Sequence, residues 1–262
     1  MRKFLAPIID LKGSERILDV GCGIGTVGKL LGSYLKRGGE IIGIDTNPKL
    51  VAYGNEHWAR RASIRLEVGD ANDIHYPDMH FDVATSFGLL EFVTNPYRVL
   101  REMFRVLRHP KKIIVIHLDP KKYVVRPAFT EQDAFYWATV DGMEHLGVDL
   151  DLTRFHAFFD SKRTVKEEFT LTLEYKSHIN KKFIELVETS FGQFLEPTSM
   201  VDEVVEFNYQ FLKPLGWTRD KIRQIVDRRH SIPAFINHLK EHLGEEFYQS
   251  FPFQIYRVYV FD

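Results

Sequence analysis

Three aspartates lie at the ends of predicted β-strands, or directly after them, in the first part of the chain. Asp19 comes directly before the glycine-rich loop Gly21–Gly25, Asp45 ends the next strand, and Asp70 follows the third. A carboxylate about 20 residues beyond such a loop can accept hydrogen bonds from ribose hydroxyls. Glycines allow a ligand to contact the backbone closely. The pattern therefore predicts a nucleoside-containing ligand at the carboxyl ends of the strands.

An alternation of short apolar strands and amphipathic helices must position these aspartates. Asn47-Pro48 and Asn95-Pro96 each combine a preferred helix cap with proline at the first helical position, so a helix should begin at each. We expect the earlier one to reach about residue 60, and apolar residues at helical spacing predict another helix over 27–35. Strands are predicted over 16–20, 40–45, 63–68, 81–86 and 111–118. This order predicts a doubly wound, Rossmann-like α/β sheet.

The glycine loop alone leaves two cofactor classes open. Gly23, Gly25 and Gly28 also spell the GxGxxG of dinucleotide-binding folds, so an NAD(P)-dependent oxidoreductase is one alternative. However, Asp19 would lie near the pyrophosphate of a dinucleotide and repel it. S-adenosylmethionine carries no phosphate, and its amino group and sulfonium are cationic. The charge pattern therefore favours S-adenosylmethionine.

Several motifs in order resemble the class I S-adenosylmethionine-dependent methyltransferases, in particular the small-molecule branch of ubiquinone and menaquinone C-methyltransferases. The resemblance covers about residues 12–119. ILDVGCGIG (17–25) resembles the first motif of that family, GIDTN (43–47) the second, and VGDAND (68–73) the adenine-binding segment. FDVATSFGLLEFV (81–93) and LREMFRVLRHPKKIIVI (100–116) resemble its fourth strand, the following helix and its fifth strand.

The resemblance implies S-adenosyl-L-methionine as cofactor, S-adenosyl-L-homocysteine as product, and in-line methyl transfer to a small or medium-sized acceptor. A non-catalytic binding subunit with the same fold stays open as an alternative. For Asp70, a turn-forming role after Gly69 also stays open. The residues expected at the cofactor are Asp19, Gly21, Cys22, Gly23, Gly25, Asp45, Thr46, Asp70, Ala71, Ser86 and Phe87.

Glu91 and His117 are the candidates for a catalytic base, because both fall near the carboxyl ends of predicted strands. Methyl transfer depends mainly on alignment of nucleophile and methyl, so a dedicated base is not required. Cys22 is expected to be a small side chain packed beside the cofactor rather than a nucleophile. The histidines show no metal-ligand spacing, and we predict no metal site.

The chain after the cofactor motifs differs in character. We assign residues 1–119 to the cofactor-binding core and residues 120–262 to a mainly helical acceptor-binding elaboration. Its predicted helices lie near 180–191, 200–212, 218–229 and 233–249, and residues 164–175 and 253–261 are predicted strands, an antiparallel pair at the sheet edge. The aromatic stretch 129–159, with Tyr136 and Trp137, should bind an apolar or planar acceptor. Alternatively, these aromatics pack the added helices or form a homodimer interface.

Composition and charge indicate which partners and which cellular location to expect. The formal net charge is −1, so we expect no nucleic-acid partner and a small-molecule acceptor instead. No apolar segment approaches the roughly 20 residues that span a bilayer. Cys22 is the single cysteine and cannot form an internal disulfide. We therefore expect a cytoplasmic protein.

Overall fold

The computed structural model describes residues 10–57, 63–118, 120–148, 158–159, 164–192 and 198–260. The chain divides into two compact units. The first comprises Met1–Leu118, Asp151–Leu171 and Phe253–Asp262, and the second comprises Asp119–Leu150 and Thr172–Pro252.

The first unit is built on a parallel sheet. Its strands are β1 (Arg16–Val20), β2 (Glu40–Asp45), β3 (Ile64–Val68), β4 (Phe81–Phe87) and β5 (Leu107–Leu118), in the order β3-β2-β1-β4-β5. The predicted Rossmann-like α/β fold is confirmed. The order reverses direction at β1, so the crevice for a ligand is expected at the carboxyl ends of β1 and β4.

Within its described residues the first unit has three helices, and two of them begin at the predicted Asn-Pro signals. The three helices are α1 (Thr26–Leu31), α2 (Pro48–His57) and α3 (Pro96–Arg105). The Asn95 side chain caps α3 by accepting a hydrogen bond from the Arg98 N–H at 3.0 Å. Helix α1 ends at Leu31, so the predicted extension to residue 35 is wrong. The predicted end of α2 near residue 60 lies outside the described residues.

The strands of this sheet are apolar almost throughout because both faces are covered. Ile17, Leu18 and Val20 of β1 are fully buried, as are Val99, Leu100 and Met103 of α3. Burial of side chains of this size contributes about 2 kcal/mol each. This core fixes where the ends of β1, β4 and β5 lie.

Two long strands come from the second half of the chain. They are β7 (Thr164–His178) and β8 (Glu246–Val260). Strand β8 runs antiparallel to β5, from the pair Lys111 and Val260 to the pair Leu118 and Phe253, and β7 pairs with β8. Strands therefore form in both predicted regions, and β8 extends the sheet beyond β5.

The second unit is mainly helical, as predicted. Its helices are α4 (Thr130–His145), α5 (Lys181–Gly192), α6 (Thr198–Leu212), α7 (Arg219–Val226) and α8 (Arg228–Glu241). The predicted helix over 233–249 is wrong at its end, because residues from Glu246 onward belong to β8. Gly244, with φ of 95°, interrupts the helical path, and its N–H donates to the Ile179 carbonyl at 2.9 Å.

The three-residue strand β6 (Val124–Arg126) was not predicted. It pairs antiparallel with β8 through Val124 and Ser250, and its length is too short to give a sequence pattern. In the described ranges of the chain, no helix is both long and apolar enough to cross a membrane.

Candidate active site

The glycine loop after β1 is fixed to the end of β2. The N–H groups of Gly21 and Cys22 both donate to the Ile44 carbonyl, at 2.9 and 3.0 Å. Gly21, Gly23 and Gly25 have φ values of 73°, 53° and 82°, a left-handed conformation that side chains disfavour. A Cβ at Gly21 would lie 2.9 Å from Leu89 Cδ1, so this position also lacks space.

The predicted ribose-binding residue also holds the loop. Asp45 Oδ2 accepts a hydrogen bond from the Gly23 N–H at 2.8 Å, and its Oδ1 accepts from the Asn47 N–H at 2.9 Å. The Asn47 side chain caps α2 by accepting from the Lys49 N–H at 3.0 Å. A carboxylate offers about four lone-pair sites, so Asp45 retains capacity for two further donors.

Asp19 lies at the end of β1 and is almost completely buried, with 2% of its surface exposed. Its Oδ1 accepts a hydrogen bond from the Thr85 hydroxyl at 3.0 Å, whereas Oδ2 has no hydrogen-bond partner. Burial raises the pKa of Asp19 to about 7, with the Thr85 hydrogen bond lowering it and the charge of Asp45 raising it. A cation beside Oδ2 would favour the ionised form.

Unpaired polar atoms are concentrated at the carboxyl ends of adjacent strands. Within the described part of the chain, four buried polar side-chain atoms lack a hydrogen bond, and three of them are Asp19 Oδ2, Ser86 Oγ and His117 Nδ1. These residues belong to β1, β4 and β5, which are neighbours in the sheet. Buried polar groups without partners are rare in folded proteins and are typical of binding sites.

The two candidate bases are brought together. His117 Nδ1 lies 3.1 Å from Glu91 Oε1, and both side chains are at least nine-tenths buried. The contact has the distance of an ion pair but not the angle of a hydrogen bond. Glu91 follows β4 and His117 lies near the end of β5. Both residues were candidates in the sequence analysis. Their contact could not be predicted there, because it depends on the order of the strands in the sheet.

Asp70 forms a turn. Its Oδ1 accepts from the backbone and side-chain amides of Asn72, at 2.8 and 3.0 Å, and the backbone bond is the largest cause that lowers its pKa. Asp70 and Ile44 also line a cavity of about 240 Å³ beside the ends of β2 and β3. Both the turn role and a ligand role are compatible with this position.

The remaining predicted cofactor contacts occupy different environments. Ala71 is buried in the apolar core, and Thr46 is exposed directly after Asp45. Phe87 is the last residue of β4 and is half-buried. Ser86 is fully buried in the same strand.

Cys22 packs against Val51 and Leu66. Burial raises the pKa of its thiol, and the charges of Asp19 and Asp45 raise it further. A thiol held in the neutral form is a poor nucleophile, which agrees with the structural role expected for it.

Gly28 does not show the close packing of a dinucleotide fingerprint. A Cβ there would lie 3.5 Å from Ile41, an ordinary contact, whereas in that fingerprint the third glycine permits a close helix–strand approach. Gly32, directly after α1, is tighter, because a Cβ there would lie 2.6 Å from Ile64.

The aromatic stretch 129–159 separates into parts with different surroundings. In α4, the ring of Tyr136 lies 4.4 Å from that of Tyr123, and Trp137 is 42% exposed. Phe159 is buried in the core of the first unit against Phe104. Phe155 lies outside the described residues. Phe159 therefore packs the core, and the acceptor role of Tyr136 and Trp137 stays a prediction.

Thr85 is a site residue that the sequence analysis did not name. Its hydroxyl holds Asp19, and the register pairs Asp19 with Thr85 across β1 and β4. Thr85 could be found from the sequence only by its strand position opposite Asp19. That position is known only once β1 and β4 are known to be neighbours.

Comparison with known proteins agrees with this geometry. Residues 18–115 match the family described as methyltransferase domain. The chain is 33% identical over 146 residues to the ubiquinone/menaquinone biosynthesis C-methyltransferase of Citrifermentans bemidjiense, covering 53% of this chain and 59% of the relative. It is 33% identical over 111 residues to the 2-phytyl-1,4-naphtoquinone methyltransferase of Synechococcus elongatus, covering 41% and 47%. The chain thus spans less than two thirds of the length of these relatives.

The fold also resembles a solved structure over the whole chain. The YcgJ protein from Bacillus subtilis superposes with a TM-score of 0.56 at 15% sequence identity, covering 100% of this chain and 98% of the other. This likeness concerns the fold alone.

Fold and cofactor loop together define the class as a Rossmann-like α/β domain that binds a nucleoside-containing cofactor. Over residues 18–115 the chain matches the family described as methyltransferase domain. The cofactor expected from the sequence is S-adenosylmethionine. The residues present fit it, because Asp19 offers an unpaired buried carboxylate oxygen and a Cβ at Gly23 would meet no atom within 4 Å.

Proposed function

We propose that this chain is an S-adenosylmethionine-dependent methyltransferase that acts on a small or medium-sized acceptor. The main support is the unpaired Oδ2 of Asp19, buried at the strand end that precedes the glycine loop. Such an oxygen favours a cation with a hydrogen-bond donor, as the amino group of the methionine moiety provides. The pyrophosphate of a dinucleotide would be repelled there.

For the residues of the cofactor site we propose the roles that the family resemblance implies. Asp19 and the loop glycines hold the methionine end, Asp45 accepts from the ribose hydroxyls, and Asp70 with Ala71 lies beside the adenine. Cys22, Thr46, Ser86 and Phe87 complete the surroundings. The bound cofactor supplies an electrophilic methyl group on its sulfonium. The chain aligns the nucleophile of the acceptor with this methyl group, which is the main requirement of such a transfer.

Glu91 and His117 are proposed to accept the acceptor's proton. Their 3.1 Å contact places the Glu91 carboxylate beside Nδ1 of the His117 imidazole, where it can orient the ring. Both lie at the carboxyl ends of strands, where α/β enzymes place their chemistry. Positioning alone, without a base, is the alternative.

The second unit is proposed to recognise the acceptor, with Tyr136 and Trp137 among the contacting residues. The relatives named above are methyltransferases of quinone biosynthesis, which favours a planar, oxygen-bearing ring as acceptor for this chain too. We propose a cytoplasmic location and neither a nucleic-acid partner nor a metal. A homodimer remains a proposal for the oligomeric state.

Calorimetry with S-adenosylhomocysteine and with NAD(H) tests the cofactor class, and mass spectrometry of a co-purified ligand identifies the acceptor. We expect micromolar or tighter binding of S-adenosylhomocysteine and none of NAD(H). The reverse result would favour the oxidoreductase alternative. Cofactor binding without methyl transfer to any co-purified compound would favour a non-catalytic binding subunit.

A further inference from the structure

Thr85 faces Asp19 across two neighbouring strands of the first unit. The register of β1 and β4 pairs these two residues, and partners in a parallel pair point to the same face of the sheet. On the other neighbouring strand, β2, the partner of Asp19 is Gly43, where a Cβ would lie 2.7 Å from Leu66 Cδ2. No side chain fits there. Of the two register partners of Asp19, Thr85 is therefore the one that can donate a side-chain hydrogen bond.

The Thr85 hydroxyl has two acceptors within reach. Its Oγ1 lies 3.0 Å from Asp19 Oδ1 and 3.4 Å from the Leu18 carbonyl oxygen. A hydroxyl donates one hydrogen, and a hydrogen bond to an ionised carboxylate is stronger than one to a carbonyl. Thr85 is buried, so its hydroxyl cannot turn to solvent instead. The shorter distance and the charge both favour the bond to Asp19.

This bond determines how the carboxylate of Asp19 is oriented. The last torsion of an aspartate side chain has broad preferences, so the carboxylate turns easily unless a partner fixes one of its oxygens. Threonine is branched at Cβ, which restricts the position of its hydroxyl. Because Thr85 fixes Oδ1, the oxygen that stays buried without a hydrogen-bond partner is Oδ2.

The other neighbours of Asp19 oppose its ionised form. Burial raises the pKa of Asp19 most, and the negative charge of Asp45 at the end of β2 raises it further, whereas the Thr85 hydrogen bond lowers it. Cys22 in the glycine loop also interacts with Asp19, and burial raises the pKa of its thiol and keeps it neutral. Among these neighbours, Thr85 alone favours the ionised carboxylate.

We propose that Thr85 is a positioning residue for the methyl donor, whose hydroxyl holds the Asp19 carboxylate so that Oδ2 faces the amino group of the methionine moiety. This role rests on the proposed function, because that function supplies the cation. Thr85 acts through Asp19 and not by contact with the cofactor. Loss of the hydroxyl should therefore weaken cofactor binding only while the Asp19 carboxylate is present.

Thr85→Val removes the hydroxyl and keeps the branched shape of the side chain. Calorimetry of the full chain at pH 8 should show about tenfold weaker binding of S-adenosylhomocysteine, the loss expected for one hydrogen bond, and Thr85→Ser should restore the affinity to within about threefold of the wild type. Thr85→Ala, which also lacks the hydroxyl, takes the place of the valine variant if that variant does not fold.

Thr139→Val is the matched control. Thr139 is also buried, and its hydroxyl donates to the Phe135 carbonyl at 2.8 Å, within α4 of the second unit. Its affinity for S-adenosylhomocysteine should equal that of the wild type. Equal losses in Thr85→Val and Thr85→Ser would overturn the proposal, because the hydroxyl would then not be the group that matters.

A double-mutant comparison separates an effect through Asp19 from a direct contact with the cofactor. In an Asp19→Ala background, Thr85→Val should change the affinity for S-adenosylhomocysteine less than about twofold, because no carboxylate is left to orient. An equal loss in both backgrounds would overturn the proposal, since Thr85 would then contact the cofactor itself.

NMR titration of the ¹³C-labelled Asp19 carboxyl in the cofactor-free protein tests the Thr85 contact by itself. Thr85→Val should move the titration midpoint of Asp19 to higher pH, whereas Thr85→Ser and Thr139→Val should leave it in place. An unmoved midpoint, or unchanged affinity of folded Thr85→Val beside a wild type that binds, would overturn the role of Thr85 alone. Absence of S-adenosylhomocysteine binding by the wild-type chain would instead overturn the proposed function.

Discussion

The backbone N–H of Gly23 donates to Oδ2 of Asp45 at 2.8 Å, across 22 residues of sequence. This bond joins the two features from which the cofactor class was inferred, the loop after β1 and the acid at the end of β2. Asp45 therefore has two tasks. It holds the loop in its left-handed conformation and retains acceptor sites for a ligand.

Asp45→Ala should weaken S-adenosylhomocysteine binding roughly tenfold to a hundredfold, because hydrogen bonds to a charged group contribute about 1.5–3 kcal/mol each. Isothermal titration calorimetry measures the change. Glu56→Ala is the control, since this carboxylate lies on α2 and its side chain is 75% exposed. Unchanged affinity in a folded Asp45→Ala protein would remove Asp45 from the site.

Gly23→Ala should abolish cofactor binding without a clash inside the protein. A Cβ at Gly23 meets no atom within 4 Å, so the methyl group would occupy space that the ligand needs. Its φ of 53° should cost about 1 kcal/mol of stability.

Gly38→Ala is the matched control for this variant, because Gly38 has φ of 94° and equally open surroundings. Thermal denaturation should show similar losses for both variants, whereas calorimetry with S-adenosylhomocysteine should separate them. Equal affinities for the ligand would place Gly23 outside the site.

Asp19 should make stability depend on pH. Its pKa is about 7 in the folded protein against 3.8 for an unperturbed carboxyl, so the folded state binds more protons and stability falls as pH rises from about 4 to about 7. Asp19→Asn removes this dependence while its amide oxygen can still accept from Thr85. At pH 8 we expect its Tm to exceed that of the wild type by about 3 °C, the shift for ~1 kcal/mol in a protein of this size.

Cofactor affinity should depend on the same group with the opposite sign. S-adenosylhomocysteine lacks the sulfonium charge but keeps the ammonium group of the methionine moiety, and this group favours ionised Asp19. Wild-type affinity for S-adenosylhomocysteine should therefore rise with pH up to about 7. The Asp19→Asn variant should bind more weakly at pH 8 and lack this rise. Calorimetry at pH 6 and pH 8 measures the affinity of both proteins for S-adenosylhomocysteine. A parallel rise in both would exclude Asp19 as the source of the pH dependence.

The contact between Glu91 and His117 predicts a loss of catalysis without a loss of cofactor. Glu91→Gln and His117→Gln should each lower kcat about a hundredfold with any acceptor that takes a labelled methyl group. Affinity for S-adenosylhomocysteine should stay within about twofold. His57→Gln, on an exposed turn of α2, is the control.

The size of the loss in kcat separates a base from a structural pair, because general acid–base catalysis contributes about a hundredfold or more. Equal kcat values for all variants would leave alignment as the sole catalytic contribution.

Trp137→Ala should impair methyl transfer through the acceptor and not through the cofactor. Trp137 is 42% exposed, so its removal should change stability little. We expect KM for the acceptor to rise several-fold at unchanged S-adenosylhomocysteine affinity, and a similar result for Tyr136→Ala. Leu243→Ala, at another exposed apolar position of the second unit, is the control.

Light scattering during size-exclusion chromatography distinguishes the alternatives for Tyr136 and Trp137. A dimer that dissociates in Trp137→Ala with activity retained would assign these aromatics to an interface. Joint loss of fold stability and cofactor binding would assign them to packing.

The sequence by itself determined the parallel sheet, its strand ends and the cofactor loop. These features are local, because a left-handed glycine, a helix cap and a buried strand each leave a signature within a few neighbouring residues. Asn95 and its capping bond to Arg98 are one example. The acid at position 45 followed from its spacing to the loop.

Only the tertiary structure decided how distant residues meet. Residues 246–249 read as helix in isolation but form a strand, since strand formation is completed by hydrogen bonds to another strand. Thr85 reaches Asp19, and Glu91 reaches His117, only because β4 lies between β1 and β5. Likewise, a cavity of the second unit gathers side chains from Tyr123 to Gln249. Side-chain contacts across a sheet or a helical layer depend on element order and register, which local patterns of residues do not encode.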